Sequence, residues 1–351
     1  MTYPIDPDNG LLVSWNQTVL NPVQKLALFS FAGAQKKSYN AMPAFNNNGT
    51  FFILDTFSTG DIATANWYAS GIPLLLDKDA NIKQSQLVNG KVAGIIQGGY
   101  YVKDEQNILF QNAATSTVDY YDITSGTRKT NLNLKFPNNA TPFFEQSGIV
   151  YSFIISGNYP GPYSITFYRG LIAILTVNNI ISIPITNGPN VKYFSPTGDV
   201  YIMINARDQG NTYVTTYIFK YNVRSNVFST YFSSTNSGGA DAWISQNYFV
   251  QDVCIDYAGN VYAVMSTSTG NPNITMQLIK ITGSSSFSVL ATLDSVNDGG
   301  NDLPVMSIAT LYTNTVEFSN YANVAKTPYP STIETYKVIP PDIPVAPIIN
   351  V

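Results

Sequence analysis

Glycines recur along this chain at a nearly constant interval, each placed between small or polar residues and an aromatic or aliphatic pair. The intervals between successive copies are about 50, 49, 50, 61 and 55 residues. This spacing is typical of repeat proteins in which each unit is one small sheet. The copies are Asn-Asn-Gly49-Thr-Phe-Phe, Gly98-Gly99-Tyr-Tyr, Gly148-Ile-Val-Tyr151, Gly198-Asp-Val-Tyr201 and Gly259-Asn-Val-Tyr262, with a degenerate sixth copy at Asn314.

Between these glycines the sequence has almost no helical periodicity. Short apolar runs rich in Val, Ile, Thr, Tyr and Phe alternate with Gly, Asn, Ser and Pro, which is typical of strands and turns. Four such runs fit into one repeat, the content of one β-propeller blade. The clearest are Val191–Phe194, Val200–Ile204, Thr215–Phe219 and Phe228–Phe232 in the fourth unit, and Val253–Asp256, Val261–Met265, Met276–Ile281 and Phe287–Leu293 in the fifth.

The sequence therefore predicts an all-β fold, a six-bladed β-propeller of four-stranded antiparallel blades over residues 1–338. Blade hairpins are expected near residues 49, 99, 148, 198, 259 and 314. Because an open ring would leave unpaired strand edges, the chain ends should close it. We expect the run Val23–Phe31 to complete the last blade, beside two strands that follow Leu303 and a further strand near Thr335–Val338.

Residues 339–351 contain four prolines, which cannot donate to a strand ladder. They are predicted to form an extended tail that docks either on another subunit or on its own chain. The most apolar stretch, Leu171–Ile185, is too short to span a bilayer. It is interpreted as two buried strands joined by a turn at Asn178-Asn179, because asparagine tolerates positive φ.

Composition excludes several function classes. The chain has no histidine and one cysteine, Cys254, so Ser-His-Asp and Cys-His sites and histidine-based metal centres are excluded. Charged residues make up 11%, against about 25% in a typical soluble domain. The net charge is -4 and no basic stripe exists, so nucleic-acid binding is not expected. Hydroxyl and amide side chains must supply most of the polar surface.

Two units resemble propeller repeats of the NHL and lactonase-like type. In the fifth unit, Val253-Cys-Ile-Asp256-Tyr-Ala-Gly259-Asn-Val-Tyr262 is similar to their inner strand, Asp-x-x-Gly-Asn hairpin and second strand. Phe194-Ser-Pro-Thr-Gly198-Asp-Val-Tyr201 in the fourth unit is similar. The resemblance implies a blade and no particular activity. In composition the chain also resembles virion proteins of archaeal viruses, which are rich in Tyr, Asn and Thr and weakly charged.

Two motifs suggest enzymatic or metal chemistry. Asp77, Asp79 and Asn81 have the one-three-five spacing of a calcium loop, but Ile82 and Val88 replace the glycine and glutamate that an EF-hand needs. The alternative is a hairpin turn in which these side chains cap their own backbone. Carboxylates near the blade hairpins could serve glycoside hydrolysis, although no pair stands out: Asp55, Asp104, Glu105, Glu145, Asp199 and Asp256.

Aromatic residues in predicted loops are the stronger candidates. One face of a propeller carries the loops between second and third strands and between successive blades. The predicted loops are Thr59–Trp67, Ser156–Tyr163, Arg207–Tyr213, Gly238–Tyr248 and Thr267–Asn273. Aromatic rings beside amides and carboxylates bind sugars or protein surfaces, although each ring could simply fix its own loop. The candidate ligand-binding residues are Trp67, Tyr159, Tyr163, Asp208, Trp243 and Asn247, with Asn66 beside them.

The sequence favours a non-enzymatic structural or binding protein, extracellular or on a virion surface, that engages a glycan or protein partner. The alternative is a propeller-type hydrolase or lactonase that uses carboxylates, with or without calcium. No cofactor, resident metal or catalytic residue is assigned, and no membrane span is expected. Four Asn-x-Ser/Thr sequons carry glycans only if the chain meets a glycosylation machinery: Asn16, Asn48, Asn139 and Asn273.

Overall fold

All regular elements that the structure describes are β-strands. A computed structural model describes residues 9–16, 24–39, 51–56, 60–66, 73–84, 100–102, 107–112, 117–122, 127–130, 134–146, 148–194, 197–208, 213–237, 249–256, 258–270, 273–297 and 306–311. Within these ranges no helix occurs, and therefore none is long and apolar enough to cross a membrane.

The strands form six four-stranded antiparallel sheets, here called blades. Blade 1 contains β4 (Phe51–Thr56), β5 (Ile62–Asn66), β6 (Pro73–Leu76) and β7 (Ile82–Gln84). Blade 2 contains β8 (Tyr100–Val102), β9 (Asn107–Asn112), β10 (Thr117–Asp122) and β11 (Thr127–Thr130). Blade 3 contains β12 (Thr141–Gln146), β13 (Ile149–Gly157), β14 (Tyr163–Arg169) and β15 (Ile172–Ile181).

The three remaining blades come from the second half of the chain and the N-terminal segment. Blade 4 contains β16 (Ile185–Phe194), β17 (Asp199–Arg207), β18 (Tyr213–Asn222) and β19 (Val227–Ser237). Blade 5 contains β20 (Phe249–Ile255), β21 (Val261–Gly270), β22 (Asn273–Ile281) and β23 (Phe287–Asn297). Blade 6 contains β24 (Met306–Leu311), β1 (Gly10–Asn16), β2 (Gln24–Phe29) and β3 (Gln35–Ser38).

Blade 6 combines the last described strand of the chain with the first three. Its first strand, β24, pairs antiparallel with β1, and Trp15 lies opposite Met306. The N-terminal segment thus supplies three strands, whereas only the run Val23–Phe31 was expected to pair there. The further strand predicted near Thr335–Val338 and the proline-rich tail lie outside the described residues.

Apolar side chains fill the spaces between neighbouring blades from blade 3 through blade 6 to blade 1, which is the packing of a propeller. In β17, Val200, Ile202 and Ile204 pack against blade 3, whereas Tyr201 and Met203 pack against blade 5. Equivalent clusters lie between blades 5 and 6 and between blades 6 and 1. Because both faces of such a strand are buried, its sequence is a continuous apolar run rather than an alternating one. The structure confirms the predicted all-β propeller of four-stranded antiparallel sheets.

Direct contacts follow the same order around the molecule. The turn between third and fourth strands repeatedly reaches the outer strand of the preceding blade. Asn226 Nδ2 of blade 4 donates to Ile174 O of blade 3 at 3.2 Å, and Ser233 N of blade 4 donates to Ser284 O of blade 5 at 2.8 Å. Lys37 of blade 6 forms an ion pair of 2.7 Å with Asp79 of blade 1.

The glycine repeat marks the same hairpin in blades 3, 4 and 5 but not in blades 1 and 2. Gly148, Gly198 and Gly259 lie between the first and second strands with φ of 81°, 76° and 81°. In blade 1 that hairpin contains Gly60, also with φ of 81°. The aromatic pairs after Gly49 and Gly99 begin the first strands β4 and β8 instead. The hairpins expected near 49, 99 and 314 fall on residues outside the described ranges.

The stretch Leu171–Ile185 differs from its prediction. Ile172–Ile181 is one outer strand, β15, and not two buried strands. Asn178 and Asn179 form a bulge within it, because Val177 pairs with Ile165 and Ile181 with Tyr163. Asn179 has φ of 57°, so asparagine does supply the left-handed conformation, but at a bulge rather than at a turn.

The tyrosine that ends the repeat motif has a structural role. Tyr201 lies opposite Lys220, whose Nζ is 5.7 Å from the ring centroid, and Tyr262 lies opposite Lys280 at 5.6 Å. Both rings are buried, and burial raises the pKa of each hydroxyl above its usual range. The motif therefore encodes a cross-strand cation–π pair in blades 4 and 5.

Candidate functional site

The two ends of the blades carry different connections. The turns between first and second and between third and fourth strands lie at one end, called here the hairpin end. The connections between second and third strands, and from one blade to the next, lie at the other, called the loop end. The aromatic binding site was predicted at the loop end.

Three of the predicted ligand-binding residues lie at the loop end of blades 3 and 4. Tyr159 lies in the connection between β13 and β14, Tyr163 is the first residue of β14, and Asp208 directly follows β17. The connection from blade 3 to blade 4 joins the two places. The backbone of Gly161 lies close to that of Ser182, since a Cβ added to Gly161 would be 3.2 Å from the Ser182 carbonyl. On the other side of the connection, Arg207 N donates to Pro184 O at 2.8 Å.

The two tyrosines have different environments. Tyr163 is half-buried, and a Cβ on Gly157 would lie 2.7 Å from its ring. It therefore fixes its own loop, which was the structural alternative. Tyr159 is 74% exposed. Because Gly161 N donates to Asn158 O at 2.5 Å and Gly161 packs on Ser182, the backbone that carries Tyr159 is held in place.

Trp67, Trp243 and Asn247 lie outside the described residues. The predicted loop Thr59–Trp67 is wrong, because residues 62–66 form β5 and Gly60 lies in the hairpin before it. The predicted loop Thr267–Asn273 is also too long, since β21 continues to Gly270.

The described candidate carboxylates stabilise hairpins. Glu145 Oε1 accepts a hydrogen bond of 2.6 Å from Gly148 N. Asp199 forms an ion pair of 2.8 Å with Lys220. Burial alone would raise the pKa of Asp199, but hydrogen bonds from Lys220, Thr197 and Asn222 outweigh it and lower that pKa. The side chains of Asp55, Asp104 and Glu105 lie outside the described residues.

Asp256 organises the hairpin that carries the Asp-x-x-Gly-Asn resemblance. Its Oδ1 accepts hydrogen bonds from Ala258 N at 2.9 Å and Asn260 N at 2.8 Å. Its Oδ2 accepts from Asn260 Nδ2 at 2.7 Å and from Tyr262 Oη at 3.1 Å. Both oxygens of this carboxylate are thus used within the turn.

The candidate calcium motif has the same geometry. Asp77 Oδ1 accepts from Asp79 N at 2.8 Å and Asn81 N at 2.9 Å, and Oδ2 accepts from Asn81 Nδ2 at 3.0 Å. Asp79 instead pairs with Lys37. This arrangement is the hairpin turn that was the alternative to a calcium loop. Across the described ranges, no three His, Cys, Asp or Glu side chains are grouped to hold a metal ion.

Replacing Asp77 by alanine is expected to lower the free energy of unfolding by about 1 kcal/mol, because backbone donors of the turn lose a charged acceptor. Slight burial would raise the pKa of Asp77, but the hydrogen bonds from Asn81 and Asp79 lower it. The contribution should therefore be present at neutral pH and lost as the pH falls below about 4. Denaturant unfolding at pH 7 and pH 3 measures both values.

The exposed Lys78 of the same turn provides the control, and Lys78→Ala should change little. Calcium and EDTA should leave the melting temperature of the wild-type chain unchanged. A calcium-dependent rise in melting temperature that Asp77→Ala abolishes would restore the calcium interpretation.

A buried polar network lies on the first strands of the blades, and no sequence motif predicted it. Asp252 Oδ1 accepts from Asn190 Nδ2 of blade 4 at 2.6 Å and from Val253 N at 2.8 Å, and Oδ2 accepts from Ile308 N of blade 6 at 2.9 Å. Lys192 Nζ lies 3.8 Å from Oδ1. Burial raises the pKa of Asp252, although Lys192 and these donors oppose that shift.

Other polar side chains also connect the first strands with neighbouring blades. Asn205 Nδ2 of blade 4 donates to Val250 O of blade 5 at 3.0 Å. Gln251 Oε1 accepts from Met306 N at 2.8 Å, and Ser307 Oγ accepts from Ile53 N at 2.8 Å. Polar side chains of one blade thus satisfy backbone groups of the next, which leaves fewer unpaired groups on the first strands.

No protein-family model matches the chain, and no curated protein sequence matches it either. Solved structures resemble the chain only at low sequence identity. A putative 6-phosphogluconolactonase from Bacteroides fragilis is 11% identical, with a TM-score of 0.43 over 86% of this chain and 98% of the other. The SapL1 lectin in complex with alpha methyl fucoside is 10% identical, with a TM-score of 0.42 over 86% and 97%.

A neuraminidase-like protein of subtype N11 from A/flat-faced bat/Peru/033/2010 (H18N11) is 10% identical. Its TM-score is 0.37, over 69% of this chain and 72% of the other. At these scores the similarities carry no argument about what this chain binds.

Proposed function

We propose that this chain is a non-enzymatic binding protein, extracellular or on a virion surface, that engages a glycan or protein partner through its loop end. The observation that carries the proposal is the exposure of Tyr159 on a fixed backbone. An aromatic ring that is already ordered loses little conformational freedom on binding. Tyrosine also offers both a flat apolar face and a hydroxyl group to a partner.

The surroundings of Tyr159 support the same function. Asn158 and Ser182 are exposed beside it, and Asp208 lies on the neighbouring blade. These groups could orient a ligand by hydrogen bonds while the ring supplies contact area. The described carboxylates of the hairpin end are bonded within their own turns, which also favours binding over hydrolysis. Trp67, Trp243 and Asn247 are retained in the proposal on sequence grounds.

Tyr159→Ala is expected to weaken partner binding by about 30-fold, because exposed aromatic anchors often contribute about 2 kcal/mol. Labelled protein applied to arrays of defined glycans and of purified cell-surface proteins would identify ligands, and titration would measure each dissociation constant. Trp67→Ala and Trp243→Ala should weaken the same interaction. Tyr159→Trp should retain it, since it keeps the aromatic face.

Val289→Ala is the matched control, because Val289 is exposed on β23, in a different blade. It should bind as the wild-type chain does. Wild-type affinity of Tyr159→Ala for every ligand found would contradict the proposed site. Turnover of a sugar or lactone at a rate that Tyr159→Ala leaves unchanged would favour the hydrolase alternative.

A further inference from the structure

The sequon at Asn139 lies in an exposed turn at the loop end of blade 3. Residues 137–140 lead into β12, and Ala140 N donates to Pro137 O at 3.2 Å, which closes the turn. Asn139 is exposed, with φ of 64°. Thr141, two residues later, begins β12 and is half-buried. The asparagine and the threonine that define an N-glycosylation acceptor therefore both keep contact with solvent.

The fold does not use the side chain of Asn139. Among the described residues, none forms a hydrogen bond with its amide. Asn226, which has a similar φ of 55°, is different, because it donates to Ile174 O and accepts from Tyr221 Oη. A positive φ explains why asparagine is tolerated at position 139. It leaves the amide available to chemistry from outside the chain.

The other sequons that the structure describes begin within strands. Asn16 is the last paired residue of β1, and Asn273 is paired on both sides as the first residue of β22. A transferase has to bind the acceptor segment apart from its neighbours, so these two sequons require local opening of a sheet. Asn139 precedes its strand. At most the first pair of that ladder, Thr141 with Phe153, has to open there.

We propose that Asn139 carries an N-linked glycan. In the transfer, Asn139 Nδ2 forms a bond to the anomeric carbon of a sugar held on a lipid diphosphate. The bond between that carbon and the diphosphate oxygen breaks, the lipid diphosphate leaves, and Nδ2 loses one proton. Charged residues make up only 11% of the chain, and a glycan adds hydrated surface without adding charge.

This inference rests on the extracellular location in the proposed function, because sequons are glycosylated in secreted proteins. The test supplies that location by secretion, so a negative result counts against Asn139 itself and not against the location. Ligand binding through Tyr159 is measured separately on the arrays described above, and its failure would have no bearing on glycosylation.

The full chain, secreted from eukaryotic cells behind a cleaved signal peptide, is digested with trypsin and analysed by mass spectrometry. Trypsin releases Asn139 in the peptide Phe136–Arg169, which contains no other sequon. Most of this peptide should carry a glycan, and peptide N-glycosidase should convert Asn139 to aspartate. Thr141→Ala should abolish the modification, and Thr141→Ser should retain it. Asn138→Gln is the matched control, because Asn138 is exposed in the same turn but starts no sequon.

Transfer during secretion can precede folding, so a second measurement uses the folded chain. Unglycosylated protein made in bacteria is incubated with a soluble N-glucosyltransferase and UDP-glucose, before and after denaturation. The folded chain should accept glucose at Asn139, because this side chain is exposed. Circular dichroism and melting temperature show whether each variant is folded. The proposal is overturned if secreted protein leaves Asn139 largely unmodified, if Thr141→Ala remains glycosylated there, or if only the denatured chain accepts glucose at this position.

Discussion

Replacing Asp252 by alanine is expected to lower the free energy of unfolding by about 3–5 kcal/mol, the cost of removing one member of a buried charged network. The side chain of Asp252 is buried and connects blade 5 with both neighbours. Without it, Asn190 Nδ2, Val253 N and Ile308 N all lose this acceptor. The donors Val253 N and Ile308 N are buried, so water does not easily replace the missing oxygen there.

Two further substitutions make the result specific. Asp252→Asn keeps the shape but replaces one acceptor oxygen by a donor, so it should cost about 1–3 kcal/mol. Asp79→Ala removes a carboxylate that also forms an interblade ion pair, but this pair is exposed and should be worth less than about 1 kcal/mol. Equilibrium unfolding in denaturant measures all three. If Asp252→Ala were no more destabilising than Asp79→Ala, the central network would not hold the blades together.

Units 4 and 5 were predictable because local sequence and packing agree there. The second strands β17 and β21 are apolar runs that follow a turn glycine, and both faces of each are buried between blades. The glycine period left the run Val23–Phe31 outside the six units, which indicated that the two ends of the chain share a blade. The predicted strands of blades 1 and 2 were shifted by one, because a glycine before an aromatic pair precedes a first strand as readily as a second. Only pairing with a neighbour distinguishes the two.

The candidate site was predictable only in part. Aromatic residues in a glycine- and proline-rich segment identified the loop of Tyr159, but not that Tyr163 packs on the glycines of the same loop. Asp252 could not be found from the sequence. Its role depends on a bulge between Val250 and Asp252, and on the backbone of Ile308, 56 residues further along the chain. No local pattern contains that information.

The second large effect is expected at the packed aromatic rings between blades 3 and 4. Phe167 and Tyr221 are stacked, with ring centroids 3.9 Å apart and an interplanar angle of 18°. Both are fully buried. Tyr221→Ala should lower the free energy of unfolding by about 3–5 kcal/mol, because it removes a large ring from a well-packed interface. Tyr221→Phe should cost only about 1 kcal/mol, since it loses just the hydrogen bond to Asn226.

A double-mutant cycle tests whether these two rings support each other across the blade boundary. Phe167→Leu combined with Tyr221→Leu should be non-additive by about 0.5–1.5 kcal/mol, the coupling of an aromatic pair. The control pairs Phe167→Leu with Tyr201→Leu, because Tyr201 is equally buried but packs between blades 4 and 5. That pair should be additive within about 0.5 kcal/mol. Equal coupling in both cycles would mean that the substitutions loosen the packing of the whole domain, and that the non-additivity does not come from the stacking of Phe167 on Tyr221.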